Sequence, residues 1–188
     1  MGPILIIALV LVGIAILTNA PAYFSRDSAF LSTIVSVIGW FVSMVVGLGL
    51  IRAALAIVDG GKPEVAYLAR TDGLLTYIIA AILAGLIYTV GFILCIIPGL
   101  IAIFLLQFFP YAIVDGRTDN PVESLKISYE MASKNAGDLL LLMILLFLVN
   151  LVGALLCGIG LIVTLPVTAI AVAYAWRWFS RGNIAPQP

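Results

Sequence analysis

The sequence predicts an all-α integral membrane protein, a helical bundle of about six transmembrane helices with an internal duplication and one cytoplasmic amphipathic helix. Hydrophobic residues make up 64% of the chain and charged residues 10%, whereas a soluble domain carries about 25% charged residues. The segments 73–114 and 139–176 contain no charged residue. Each would reach roughly 60 Å as one helix, about twice the hydrocarbon thickness, so each is expected to fold back as a helical hairpin.

Proline and glycine mark where the two long segments turn. The first turn is predicted at residues 95–99, CIIPG, and the second at 157–160, CGIG, because proline and glycine interrupt helices. The chain 1–188 is then one transmembrane domain. Its predicted spans are residues 3–18, 29–58, 73–95, 99–115, 138–157 and 160–180. The first span has no Lys or Arg before its apolar core, which argues against a cleaved signal peptide.

The positions of the cations support this count of spans. With the amino terminus inside, only Arg26 falls on the outer side. The cytoplasmic side receives Arg52, Lys62, Arg70, Arg117, Lys126, Lys134, Arg177 and Arg181. This asymmetry is the positive-inside pattern, so we expect a multi-pass protein of the cell membrane with both termini in the cytoplasm.

Two short stretches occur twice. AIVDG stands at 56–60 and at 112–116, the predicted cytoplasmic ends of the second and fourth spans, and GFILC at 91–95 is echoed by GALLC at 153–157. The pairs indicate a duplicated unit of two spans joined by a cytoplasmic element. The alternative is coincidence in a chain of low complexity.

The aspartates of the repeated stretch, Asp59 and Asp115, are candidate structural or functional residues. Gly60 and Gly116 suit the left-handed position that ends a helix. A carboxylate opposes the macrodipole there, so each aspartate is expected to contact a cation or the N–H groups that start the next helix. The candidate cations are Arg52, Lys62 and Arg117. The other interpretation is a pair of carboxylates that transfers cations or protons.

Residues 120–135 form a long amphipathic stretch. Asn120 as N-cap, Pro121 at the first helical position and Glu123 at the third are typical of a helix start. The predicted apolar face consists of Val122, Leu125, Tyr129 and Ala132. The helix is expected to lie in the cytoplasmic membrane interface, as a connector between the two halves or as a docking helix for a partner.

Few residues offer chemistry. The chain contains no histidine, which excludes histidine-based general-base catalysis and histidine-ligated metal or haem sites. Cys95 and Cys157 are expected either to pack as small apolar side chains or to form a disulfide on the outer side. Gln107 and Asn150 are polar candidates within the later spans, where such groups more often bond across helices than bind substrate. We expect no catalytic residue, no cofactor and no metal.

Small residues and prolines predict how the spans pack. Gly39, Ser43 and Gly47 recur every four residues and predict a small-xxx-small ridge on the second span. Pro110 and Pro166 are expected to kink their helices. The aromatic residues expected to anchor the last span in the inner interface are Trp176, Trp178 and Phe179.

Two stretches carry a family resemblance, FPYAIVDGRTDNPVESLKISYEMASKNAGDLLLLMI at 109–144 and CGIGLIVTLPVTAIAVAYAWRWF at 157–179. They resemble the uncharacterised YciC-like bacterial and archaeal membrane proteins and the related membrane domain that precedes some glycerophosphodiester phosphodiesterases. The shared pattern comprises Asp115-Gly116, Glu123-Ser124-Leu125, Ser128 and Asn135. The resemblance covers about residues 90–180 and implies about six helices without an established activity.

The sequence favours a non-catalytic membrane protein, either an accessory or scaffold subunit or a self-associating bundle that organises lipids or partner proteins. Expected partners are membrane lipids and other membrane proteins or further copies of the chain, and no nucleic acid. The alternative is a passive transporter or channel for a small or apolar solute, with a cavity between the repeats near Gln107, Asn150 and Thr164. An intramembrane enzyme is the least favoured reading.

Overall fold

The computed structural model describes residues 29–61, 72–155 and 159–183, which form seven helices and no strand. The helices are α1 (Ala29–Val58), α2 (Leu74–Leu94), α3 (Ile96–Leu106), α4 (Phe109–Val114), α5 (Pro121–Lys134), α6 (Ala136–Leu155) and α7 (Ile159–Asn183). The all-α prediction is confirmed. The predicted first span, 3–18, lies outside the described residues.

Within the described part of the chain, four helical segments are long and apolar enough to cross a membrane. They are Ser36–Val58 in α1, Leu74–Leu94, Ile96–Val114 and Ala136–Leu155. Their lengths of 19 to 23 residues suit a hydrocarbon core that needs about 20 residues. α7 occupies the predicted last span and is a helix of 25 residues with Pro166 inside it.

The chain divides into two compact units. Among the described residues, the first unit comprises 29–61, 148–155 and 159–170, and the second comprises 72–147 and 171–183. α6 and α7 therefore supply residues to both units, whereas α2 to α5 belong to the second unit alone.

α2 and α3 form a helical hairpin whose turn is a single residue. α2 ends at Leu94 and α3 begins at Ile96, so only Cys95 between them is extended, with φ −174° and ψ 159°. A Cβ built on Gly91 would lie 2.9 Å from the Cα of Gly99, so the two helices touch backbone to backbone. The predicted turn is confirmed, although α3 begins three residues before the predicted start at 99.

α6 and α7 meet through the same kind of contact. A Cβ built on Gly160 would lie 2.6 Å from the Cα of Gly153. Gly153 is the first residue of GALLC, and Gly91 is the first residue of GFILC. In both of these similar stretches, the first glycine contacts a glycine that lies beyond the turn. Cys157 lies outside the described residues.

The predicted span 99–115 is broken near its middle. α3 ends at Leu106 and α4 begins at Phe109, with Pro110 in its first turn. Pro110 has no N–H, and its ring displaces the carbonyl of Leu106 four residues earlier. The expected distortion at Pro110 is therefore confirmed, as a two-residue interruption at Gln107 and Phe108, whose backbone stays in the right-handed region; we call this interruption the helix break.

α5 packs against α2, α3 and α4. The residues that it buries are Ser124, Leu125, Ser128, Met131 and Ala132. Two residues of the predicted apolar face, Leu125 and Ala132, are therefore buried inside the unit, whereas Val122 and Tyr129 are 63% and 52% exposed. The buried side of α5 also contains two serines whose hydroxyls form hydrogen bonds inside the unit, so it does not coincide with the apolar face.

The core of the second unit lies where α5 meets α2 and the broken helix. Tyr77 of α2 stacks on Phe109 of α4 with ring centroids 5.8 Å apart. The buried members of this core are Ala80, Ala84, Leu106, Phe109, Ile113 and Leu125. The two alanines allow α2 to approach closely.

Candidate functional site

The first AIVDG stretch ends α1 with a defined pair of backbone hydrogen bonds. The Gly61 N–H donates to the Ala56 carbonyl at 2.8 Å, and the Gly60 N–H donates to the Ile57 carbonyl at 3.1 Å. These are the two bonds of a Schellman motif. Gly60 has a φ of 80°, a left-handed conformation that glycine adopts without strain.

The second AIVDG stretch ends α4 in the same way. The Arg117 N–H donates to the Ala112 carbonyl and the Gly116 N–H donates to the Ile113 carbonyl, both at 3.0 Å. Gly116 has a φ of 68°. The repeated letters thus specify one helix ending twice, and the aspartate occupies the C-cap position in both.

Asp115 lies at the centre of a polar cluster that also contains Arg117, Trp176 and Arg177. Its Oδ2 accepts hydrogen bonds from Arg117 Nε at 2.9 Å and from Trp176 Nε1 at 3.2 Å. Its Oδ1 accepts one from Arg177 Nη1. The carboxylate is only 12% exposed. We call these four residues the Asp115 cluster; it joins the end of α4 to α7.

Aromatic side chains form the base of the Asp115 cluster. Trp176 is fully buried, and the guanidinium carbon of Arg117 lies 4.9 Å from the centroid of its ring. Phe108 and Tyr111 lie against the same indole, with centroids 5.9 and 6.1 Å away. A guanidinium over an indole face gains a cation–π attraction that is stronger away from water.

The predicted aromatic anchor is wrong for two of its three residues. Trp176 and Phe179 are buried in the second unit, so they pack the fold instead of facing a membrane interface. Trp178 is 62% exposed and stacks on Tyr174 one turn earlier, with centroids 6.4 Å apart. Residues one or two positions apart in a helix point in different directions. Trp178 can therefore be exposed while Trp176 and Phe179 are buried.

The charges of the cluster explain why an aspartate ends α4. A carboxylate at a helix C-terminus is disfavoured by the macrodipole, and here two guanidinium groups compensate it. Arg117 is among the cations that the sequence indicated, and Arg177 is not. Because arginine stays protonated, a cation bound at Asp115 would have to displace an arginine. The arrangement suits a structural ion pair better than cation or proton transfer.

Asp59 occupies the equivalent backbone position in a different environment. Its side chain is exposed, while Arg52 in the last turns of α1 is partly buried. The two aspartates therefore share a role in the backbone ending, but only Asp115 is enclosed by the fold.

The turn after α4 starts α5 as predicted. Asn120 is the N-cap, and its Oδ1 accepts a hydrogen bond from the Val122 N–H at 3.0 Å. Thr118 Oγ1 accepts from the Asn120 N–H at 3.0 Å and donates to Glu123 Oε2 at 2.7 Å. Glu123 thus reaches the N-cap through a threonine hydroxyl, in a variant of the capping box.

Ser128 of α5 fills the helix break made by Pro110. Its Oγ donates to the Leu105 carbonyl and accepts from the Phe108 N–H, both at 2.9 Å. The break frees backbone groups that need partners when buried, and the fully buried serine supplies both bonds. No sequence pattern predicted this role of Ser128. The available signal was a serine on a helix that follows a proline-broken span.

The polar candidates inside the spans are engaged in hydrogen bonds. Asn150 Nδ2 donates to Thr168 Oγ1 at 2.8 Å, which joins α6 to α7 in the first unit. Gln107 Nε2 donates to the Phe104 carbonyl of its own helix at 2.9 Å. The first unit also has an apolar groove, lined by Leu50, Ala53, Ala54, Ile57, Pro166, Ala169 and Ile170.

The small-residue ridge of α1 and Cys95 do not belong to the Asp115 cluster. Gly39 is buried and Ser43 is exposed, and no described atom lies within 4 Å of a Cβ built on Gly47. Within the described residues, the proposed ridge therefore has no helix against it at Gly47. Cys95 is an exposed free thiol. The described part of the chain holds no cluster of three or more Cys, Asp or Glu side chains able to bind a metal.

Comparison with known proteins identifies relatives. Uncharacterized protein Rv2560 of Mycobacterium tuberculosis (strain ATCC 25618 / H37Rv) and Uncharacterized protein Mb2590 of Mycobacterium bovis are each 33% identical over 136 residues, 72% of this chain. The chain spans 42% of the length of these relatives. No solved structure matches the chain. A family match over residues 21–176 shows that the chain belongs to the family described as Domain of unknown function (DUF7847).

Proposed function

We propose that this protein is a non-catalytic, multi-pass protein of the cell membrane that acts as an accessory or scaffold subunit. The observation that supports this proposal is the Asp115 cluster. Both carboxylate oxygens accept hydrogen bonds, and their donors come from Arg117, Trp176 and Arg177. The charged groups at this end of the second unit hold α4 to α7, so they serve the fold and present little reactive surface.

Exposed apolar side chains supply the proposed contact surface. Ile82 and Leu86 of α2 are 52% and 59% exposed, and Leu141 and Phe147 of α6 are 59% and 65% exposed. Large exposed apolar surfaces mark membrane or protein contacts. Lipid chains, other membrane proteins or further copies of this chain would cover them.

The proposed topology has about six spans with both termini in the cytoplasm. The positive-inside asymmetry supports it, and the two Schellman endings agree with a duplicated unit of two spans. The architecture expected of the YciC-like membrane proteins and of the membrane domain of some glycerophosphodiester phosphodiesterases is compatible with this topology. A cysteine placed at Gln187 should be labelled in spheroplasts only after the membrane is permeabilised; labelling in intact spheroplasts would contradict the topology.

A passive transporter or channel for a small or apolar solute, a conduit for short, is the second candidate function. The observation that favours it is the apolar groove at Pro166 in the first unit. The groove has a volume of only about 10 Å³, so it would have to widen to admit a solute, and a proline inside a helix weakens the backbone beside it. A solute that uses the groove would meet alanine and aliphatic side chains.

Two measurements on the full chain separate these functions. A photoreactive amino acid at Leu141 or Phe147 should form crosslinks of discrete mass to protein in native membranes, with the buried position Leu139 as the negative control. Proteoliposomes should release small neutral solutes no faster than empty liposomes. Solute release that is lost when Ala169 is replaced by Leu in the groove, without discrete crosslinks, would overturn the scaffold proposal in favour of the conduit.

A further inference from the structure

The tip of the α2–α3 hairpin, residues 92–97, is apolar and exposed. Ile93 and Leu94 are 79% and 75% exposed, and Ile96 and Ile97 follow at 68% and 65%. Neighbouring residues carry no charge anywhere between 73 and 114. A contiguous apolar surface of this kind is unfavourable in water, and connections that face water are normally polar.

The backbone of the turn also suits an environment without water. Only Cys95 leaves the helical conformation, and its N–H donates to the Gly91 carbonyl at 3.0 Å. Pro98 at the third position of α3 has no N–H, so the helix start exposes one donor fewer. Unsatisfied backbone groups are costly in lipid, and a one-residue turn keeps their number small.

The length of the hairpin fixes where its tip can lie. α2 has 21 residues, about 32 Å at 1.5 Å per residue, which matches a hydrocarbon core of about 30 Å. The other end of α2 is polar, because Thr76 Oγ1 donates to the Asp119 carbonyl at 3.2 Å and Asp119 is exposed. With that end in one headgroup layer, the tip reaches the far boundary of the hydrocarbon and no farther.

We propose that the tip of the α2–α3 hairpin remains inside the leaflet opposite Asp119, in contact with lipid acyl chains, and does not emerge into water. The occupant of this surface is bilayer lipid. The close contact of Gly91 with Gly99 keeps the two helices together there without a polar loop. This assignment is independent of the scaffold function and applies equally to a conduit.

Electron paramagnetic resonance of a spin label at Cys95 tests the proposal. Cys157→Ala leaves Cys95 as the single thiol, and the full chain is reconstituted in vesicles of phosphatidylcholine and phosphatidylglycerol. The matched control carries Asp119→Cys with Cys95→Ala and Cys157→Ala. Collision with oxygen, which partitions into hydrocarbon, is compared with collision with a neutral nickel chelate, which stays in water.

The label at Cys95 should collide mainly with oxygen, and its ratio of oxygen to nickel collisions should exceed that of the control several-fold. Nickel access equal to that at position 119 would show a tip in water and overturn the proposal. Low access to both reagents, with dipolar broadening between labels, would show that a second copy covers the tip and would overturn it too. The same measurement is made at Ile97→Cys with both native cysteines replaced. Agreement between the two positions shows that the result does not come from one label bending toward the headgroups.

Discussion

The indole of Trp176 donates a hydrogen bond of 3.2 Å to the carboxylate of Asp115, which lies 61 positions earlier in the chain. The next residue, Arg177, binds the other oxygen of the same carboxylate. Two consecutive side chains of α7 therefore hold the end of α4. Since Phe108 and Tyr111 also pack on the indole, this link joins the polar end of the second unit to its aromatic core.

Asp115→Asn should destabilise the protein by about 2 to 3 kcal/mol, because it removes the negative charge that two guanidinium groups bind in a partly buried site. The amide oxygen of the asparagine can still accept a hydrogen bond. Its NH₂ group cannot accept one, although the groups around it are the donors of the Asp115 cluster. Asp59→Asn is the matched control, since Asp59 has the same helix-ending position and an exposed side chain. Because an ion pair or hydrogen bond of an exposed side chain contributes little, the effect of Asp59→Asn should be no more than about 1 kcal/mol.

Unfolding of both variants in lipid-containing micelles, followed by the loss of helical circular dichroism, measures this difference. Asp115→Leu should also expose the segment around α5 to protease, because the turn before α5 begins at the cluster. Equal losses at Asp59 and Asp115 would contradict a role for the cluster that goes beyond the shared Schellman ending.

Ser128→Ala should cost about 1 to 3 kcal/mol, because it leaves the buried Phe108 N–H and Leu105 carbonyl without the hydroxyl that binds both. Ser133→Ala on the same helix is the control. Its hydroxyl is exposed and donates only to the Glu130 carbonyl one turn earlier at 3.1 Å, so its change should stay within about 0.5 kcal/mol. Hydrogen exchange at the Phe108 amide should accelerate in Ser128→Ala alone. An unchanged exchange rate would mean that the break does not depend on the serine.

Local signals made much of this fold predictable from the sequence. The start of α5 follows from Asn120 and Pro121, and the hairpin turn at Cys95 follows from an uncharged segment too long for one span. The bond between Asp115 and Arg177 spans 62 positions, and no periodicity relates such distant residues. The side of α5 that is buried in the unit could not be predicted from hydrophobicity, because the hydrogen bonds of Ser128 also decide which side faces the helix break.

Gly91→Ala should destabilise the α2–α3 hairpin by about 1 to 3 kcal/mol, because its Cβ would meet the backbone of Gly99 at 2.9 Å and backbone cannot move aside cheaply. Gly85→Ala in the same helix is the control. No described atom lies within 4 Å of a Cβ there, and alanine favours a helix over glycine by about 0.5 to 1 kcal/mol. Thermal unfolding in micelles should therefore move in opposite directions for the two variants, and a shift of the same sign in both would count against the backbone contact.

The hydrogen bond from Asn150 to Thr168 can be tested with two threonines that make the same local hydrogen bond. Thr168 Oγ1 and Thr89 Oγ1 each donate to the carbonyl four residues earlier in their own helices, both at 2.8 Å, but only Thr168 also accepts a bond from another helix. Thr168→Val and Thr89→Val therefore remove the same local bond, and the difference between their costs reports mainly the bond between α6 and α7.

We expect Thr168→Val to lower the free energy of unfolding by about 0.6 to 1.7 kcal/mol more than Thr89→Val does, the range found for hydrogen bonds between transmembrane helices. Unfolding of both variants in the same micelles gives this difference directly. Equal costs would mean that this bond adds no stability, and that the packing of Gly153 on Gly160 holds these helices without it.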